Sequence, residues 1–146
     1  MSVEFDYDAI IIGGGPAGST VARYASQKGV KVLVIDGRDP IGSPLQCGEL
    51  VPSNEEMKRL CPDVPNVDEL FQTPKEAISM TCDQMHIITP SGKALKYRFE
   101  GLMLNRVLHD ENLVHIAKQA GAEYLVGKRV TRAEGNTVFL RDGTTF

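Results

Sequence analysis

Asp8-Ala9-Ile10-Ile11-Ile12-Gly13-Gly14-Gly15-Pro16-Ala17-Gly18-Ser19, followed by Lys31-Val32-Leu33-Val34-Ile35-Asp36, reads as strand, glycine turn, helix, strand and acid. The β-branched run delivers the chain to a tight turn at Gly13, and the missing side chain at Gly15 lets the backbone approach a pyrophosphate. Gly18 lets the following helix lie close to the strand, with its N-terminal N–H groups and positive dipole end aimed at the phosphates. Asp36, eighteen residues beyond Gly18, is placed to accept hydrogen bonds from an adenosine ribose. Glycine-rich turns alone are common in plain βαβ packing. Preceding strand, following helix and distal acid together indicate dinucleotide binding. The acid also narrows the ligand. A 2′-phosphate ~4 Å from a carboxylate would meet repulsion of about 4 kcal/mol at an effective dielectric of ~20, which disfavours NADP and leaves FAD or NAD.

Outward from this stretch, a helix is expected over residues 16–28. Pro16 suits its first turn and Gly29 the position just past its end, with Val21, Tyr24 and Ala25 on one face. The nearly continuous apolar run 31–35 reads as a strand covered on both sides, as in a parallel sheet. Residues 37–52 form a proline- and glycine-rich loop, long enough to be functional rather than filler. Ser53 and Glu56 make a capping-box pattern opening a helix to about Leu60, and 67–71 suggest another helical turn. Segments 77–81, 85–89 and 94–99 read as strands of an antiparallel insertion. The helical pattern returns over 105–120, with Leu113, Ile116, Ala117 and Ala120 on one face and Gly121 as the stop. Residues 122–126 supply a third parallel-type strand, and 130–133 with 137–140 a hairpin. Asp142-Gly143 signals a type I′ turn. The strand returning from that turn is barely begun at Phe146, so the chain is expected to be a fragment of a longer protein.

Composition bounds the partners. The chain has 146 residues, 42% hydrophobic and 24% charged, enough for a modest core, and its net charge of −3 gives no basic footprint for nucleic acid. Cys47, Cys61 and Cys82 form no C-x-x-C pair, which fits a reducing cytoplasm better than a disulfide framework. No metal-ligand spacing is visible, and His86, His109 and His115 read as ordinary strand and helix residues. The apolar run at 9–12 is far short of the roughly 20 residues of a membrane span. Peripheral contact with a membrane surface remains compatible with an apolar substrate.

Two further groups stand out as candidates. Cys47 sits beside Gly48 and Glu49 in the long loop rather than on an apolar periodic face, so it reads as a site thiol, against the bland alternative of a small buried residue. Glu49 is either an acid at that site or a solvated loop carboxylate. Arg106 and Asp110 lie four apart on a helix, where a surface ion pair is worth about 0.3 kcal/mol. Cation before acid is the weaker order, which favours a ligand role for Arg106.

Three blocks in this order carry a resemblance: Gly13 to Gly18 with Asp36; Ile41-Gly42-Ser43-Pro44-Leu45-Gln46-Cys47-Gly48-Glu49; and Asn105-Arg106-Val107-Leu108-His109-Asp110-Glu111-Asn112-Leu113. The chain resembles the geranylgeranyl reductase family of FAD-dependent flavoproteins, within the larger group sharing the fold of para-hydroxybenzoate hydroxylase. The first block is shared by many FAD and NAD proteins, and the third by flavin hydroxylases. The middle block, a Gly-Ser-Pro turn leading to Cys-Gly-Glu, is the one particular to the reductases. His109 stands where the family often has Phe, and Asp36 where it more often has Glu.

The resemblance implies an α/β fold: a Rossmann-type FAD-binding domain with a parallel sheet and an antiparallel β insertion. Residues 1–146 would be its incomplete N-terminal part, the substrate-cavity domain lying largely outside the chain. FAD is the implied cofactor. Gly13, Gly15, Ala17 and Gly18 would contact its pyrophosphate, and Asp36 the ribose. Cys47, Gly48 and Leu50 would lie in the loop passing the flavin, Arg106 would contact the cofactor from the later helix, and Val130 would reach the adenine by its backbone. Cys47 is the candidate catalytic residue. The implied reaction is reduction of C=C bonds in an isoprenoid or prenyl-lipid substrate, with an external electron donor. The alternatives are an FAD-dependent aromatic monooxygenase, which the Cys-Gly-Glu block argues against, and a non-catalytic cofactor-binding fragment.

Overall fold

The computed structural model describes residues 6–45 and 47–146. In chain order the elements are β1 (Ala9–Ile12), α1 (Pro16–Gln27), β2 (Val32–Ile35), β3 (Leu50–Pro52), α2 (Asn54–Leu60), α3 (Val67–Leu70) and a 3-10 turn (Lys75–Ala77). Then follow β4 (Ile78–Ile88), β5 (Ala94–Leu104), α4 (Arg106–Gln119), β6 (Glu123–Leu125), β7 (Val130–Glu134) and β8 (Thr137–Leu140). They divide into two units, one built from 6–45 and 110–146, the other from 47–109.

In the first unit β1, β2 and β6 form a parallel sheet in the order β1-β2-β6. All four residues of β2 are buried, because successive side chains leave a strand on opposite faces and both faces are covered. Val32 and Val34 pack with Ala22 of α1, Ala117 of α4 and Ala122, while Leu33 and Ile35 pack with Val138 and Leu140 of β8. The face of α1 differs from expectation. Ser19 and Ala22 are buried and Val21 is exposed, since the close approach allowed by Gly18 turns the small residues of the helix to the sheet.

The β8 turn also departs from expectation. Leu140 N–H donates to the Thr144 carbonyl at 2.9 Å and Gly143 N–H to the Leu140 carbonyl at 3.2 Å, so the loop has three residues. Gly143 takes the left-handed conformation (φ 90°) but Asp142 does not, which rules out type I′, a turn with positive φ at both centres. Asp142 instead uses its carboxylate, accepting from Thr144 N–H at 3.1 Å and from Lys128 at 2.6 Å.

The second unit is an antiparallel sheet in the order β3-β5-β4. The two strands expected at 77–81 and 85–89 are one, β4, whose pairing with β5 is interrupted between Cys82 and Gln84 without ending. A bulge absorbs an extra residue and leaves the ladder to resume, so the polar break in the pattern is not a strand end. Only the Ser53 half of the capping box forms: Glu56 N–H donates to Ser53 Oγ at 3.1 Å, whereas Ser53 N–H donates to the Glu100 carbonyl at 2.8 Å and the Glu56 carboxylate accepts from Arg59 Nε at 3.2 Å. The unit exceeds the expected insertion at 77–99, because the end of the long loop pairs as β3: Leu50 opposes Met103 and Pro52 opposes Gly101. No helix among the described residues is long and apolar enough to cross a membrane.

Candidate functional site

The glycine turn has the conformation and the close packing its sequence implies at Gly13 and Gly18, and an open backbone at Gly15. Gly13 has φ 104°, a conformation that L side chains rarely adopt. A Cβ on Gly18 would stand 1.9 Å from the Gly13 carbonyl oxygen, so only glycine lets α1 lie this close to β1. A Cβ on Gly15 would meet nothing within 4 Å, which leaves the backbone at the helix N-terminus open to a ligand. Pro16 and Ala17 lie exposed in the first turn beside it.

Asp36 ends β2 and is brought onto this turn. Its Oδ2 accepts from Gly14 N–H at 2.7 Å and its Oδ1 from Arg38 N–H at 2.7 Å. A carboxylate has about four lone-pair sites, so two remain to accept from further donors. The side chain therefore has a structural task that its motif position does not reveal: it ties the glycine turn to the end of the second strand. Asp36→Ala is expected to leave the buried Gly14 N–H without a partner. The cost should be about 1–3 kcal/mol of folding stability, besides about 1.5–3 kcal/mol of nucleotide affinity. Urea unfolding together with calorimetric titration checks both, and unchanged stability would show that the bond to Gly14 is dispensable.

Val130 opens β7 opposite Leu140. Its neighbour Arg129, which the sequence did not single out, lies against Gly37 one residue past Asp36, with Cβ and Nε each 3.7 Å from where a Gly37 Cβ would stand. The chain holds it there, since Lys128 N–H donates to the Asp36 carbonyl at 3.0 Å and Arg141 N–H to the Arg129 carbonyl at 2.9 Å. The signal available in the sequence was only a cation beside Val130.

Cys47, Gly48, Leu50 and Arg106 belong to the second unit. Cys47 is exposed. The Glu49 backbone N–H, then the Arg106 side chain and the Gly48 N–H, hold its thiol below the usual cysteine pKa against the opposing effect of desolvation. Glu49 adopts φ 63°, in the left-handed region that costs a non-glycine residue energy, and its carbonyl accepts from Leu104 N–H at 2.9 Å. What Glu49 contributes to the thiol is thus its backbone. Cys61 follows α2, and Cys82 lies against Gly101, its Sγ 2.7 Å from a Cβ placed there, both of them partly buried. Asp110 is 2% exposed in α4. Among the described residues no group of three or more His, Cys, Asp or Glu side chains could hold a metal ion.

With this geometry in view, residues 7–104 match the family described as Pyridine nucleotide-disulphide oxidoreductase. The chain belongs to that family. Among its relatives, the "Uncharacterized protein in nifH2 5'region" of Methanosarcina barkeri is 37% identical over 138 residues, 94% of this chain and 74% of the relative. Digeranylgeranylglycerophospholipid reductase 1 of Methanococcoides burtonii is 34% identical over 140 residues, covering 90% of this chain and 32% of that reductase. The crystal structure of a geranylgeranyl bacteriochlorophyll reductase-like protein from Thermoplasma acidophilum superposes with a TM-score of 0.75 at 29% identity, covering 92% of this chain and 34% of that one. The likeness to the geranylgeranyl reductases read from the three sequence blocks is therefore borne out. The chain spans about a third of the length of these reductases. Halogenase PltM in complex with phloroglucinol and FAD shares the fold at 21% identity, with a TM-score of 0.65 and coverage of 97% and 33%. The FAD-binding fold expected from the sequence, a parallel Rossmann sheet with antiparallel strands, is the fold of this chain.

Proposed function

We propose that the protein binds FAD and, in a chain of the reductases' length, reduces C=C bonds of isoprenoid chains of lipids. The residues present fit the cofactor: an open backbone at Gly15, a turn that Gly13 and Gly18 alone permit, and a carboxylate at Asp36 with acceptor sites to spare. Gly13, Gly15, Ala17 and Gly18 would hold the pyrophosphate, Asp36 the ribose and Val130 the adenine, while Gly48, Leu50 and Arg106 would serve the flavin end. Bound FAD would supply the hydride for one alkene carbon, after reduction by an external two-electron donor.

The observation that carries the reductase reading is the exposed Cys47 thiol held by Arg106 and by the left-handed Glu49 backbone. A neighbouring cation and two N–H groups stabilise the thiolate, so the thiol is a stronger acid than a free cysteine. Cys47 would give its Sγ proton to the alkene carbon beside the one that receives hydride. The thiolate left behind stays bonded to Arg106 until water reprotonates it. Apolar Leu50, exposed on β3, offers a surface suited to a prenyl chain.

Single-turnover oxidation of pre-reduced flavin by a geranylgeranyl lipid tests this. Cys47→Ala is expected to slow reoxidation by about a hundredfold or more, the usual loss of a general acid, while bound-flavin content stays near wild type. Cys61→Ala should reoxidise at the wild-type rate. Equal rates for Cys47→Ala and wild type would remove the thiol from the reaction. Oxygen-coupled NAD(P)H consumption driven by an aromatic substrate would establish the monooxygenase in place of the reductase.

A further inference from the structure

Gly14 is held on both sides by side chains, one on each of the two peptide groups it joins. Its N–H donates to Asp36, and its carbonyl accepts from Ser19 Oγ at 2.8 Å. Ser19 is 1% exposed, and its oxygen in turn accepts from Tyr124 OH at 3.0 Å. The Tyr124 ring also packs on the turn, Cε1 lying 3.5 Å from where a Gly14 Cβ would stand. A trans peptide is planar, with its C=O and N–H directed oppositely. Holding the Gly14 carbonyl inward on Ser19 therefore turns the Gly15 N–H outward, to the side where a Gly15 Cβ would meet nothing within 4 Å.

We propose that Ser19 and Tyr124 are positioning residues for the phosphate turn, fixing the Gly14–Gly15 peptide so that the Gly15 N–H is presented to a pyrophosphate oxygen. The inference rests on the nucleotide-binding reading above and adds to it two residues outside the glycine motif, one of them 105 positions away from its partner. Without Ser19 the Gly14 carbonyl has no inward donor, and between flanking glycines that peptide can rotate and present its carbonyl to the anion instead. Tyr124 fills the acceptor side of the Ser19 hydroxyl and so commits its proton to Gly14. Burial raises the Tyr124 pKa, which keeps the phenol a donor across the neutral range.

Titrations of the protein with ADP and with adenosine separate this role from general structural damage. Adenosine tests the ribose end alone, whereas ADP adds the phosphates. Ser19→Ala is expected to weaken ADP by about tenfold and adenosine by less than about twofold, so that the preference for ADP falls by nearly the whole factor. Tyr124→Phe, which removes one hydroxyl from a partly buried ring, should shift the same preference by about threefold. Tyr124→Phe decides the matter if Ser19→Ala does not fold. Equal weakening of both ligands, or unchanged ADP binding, would overturn the positioning role while leaving the nucleotide site intact. A wild-type protein with no preference for ADP over adenosine would overturn the phosphate turn itself.

Discussion

Gly18→Ala is expected to cost about 3 kcal/mol or more of folding stability, a large part of the 5–15 kcal/mol that holds a typical domain together. The added Cβ would stand 1.9 Å from the Gly13 carbonyl oxygen and 3.0 Å from its carbon. Neither obstacle is the movable end of a side chain. Relief requires α1 to lift off β1, which would open the Ala22, Val32 and Val34 cluster beneath it and disturb the Ser19 bond to Gly14. Urea unfolding followed by far-UV circular dichroism measures the loss. A variant within about 0.5 kcal/mol of wild type would mean that the helix–strand contact does not depend on glycine.

Gly15→Val should do the reverse, sparing the fold and abolishing the ligand. Gly15 has φ −67° and ψ −172°, an extended conformation open to any residue, and its Cβ direction is empty. The valine side chain would then project into the space where the backbone must approach a pyrophosphate. FAD affinity is expected to fall by at least about a hundredfold, ~2.7 kcal/mol, with the unfolding midpoint little changed. Flavin content after gel filtration and an equilibrium titration report the first effect, thermal unfolding the second. Full flavin retention in Gly15→Val would sink the pyrophosphate assignment. The two glycines thus carry opposite signatures although they sit three residues apart in one motif.

Much of this was legible because it is local. Pro16, the Ser53 cap and the Asn105 start each mark an end whose chemistry lies within a few residues, and the helices begin where those residues say. The apolar run of β2 announced a strand covered on both faces. Features set by distant partners were not readable in this way. Leu50 to Pro52 resembles loop because what makes it a strand is β5, some fifty residues later. The turn after β8 follows the reach of the Asp142 carboxylate to Thr144 and Lys128, not the dipeptide preference alone. At the site, the motif identified Gly13, Gly15, Gly18 and Asp36 but not that Asp36 is already bonded to Gly14. The loop composition drew attention to Cys47, yet the two groups that set its acidity, the Glu49 backbone and Arg106, come from a strained φ and from a helix starting nearly sixty residues on.

The chain order of the two units has a consequence for synthesis. The unit made of 47–109 is contiguous, so once it has left the ribosome every partner of β5 is available to it. The parallel sheet is assembled from residues before and after that unit, and β2 emerges about ninety residues before β6 can pair with its other edge. During that interval Leu33 and Ile35 lack the cover later given by Val138 and Leu140. A nascent chain with this order carries an apolar, open-edged strand until β6 has been made, the kind of surface to which chaperones attend.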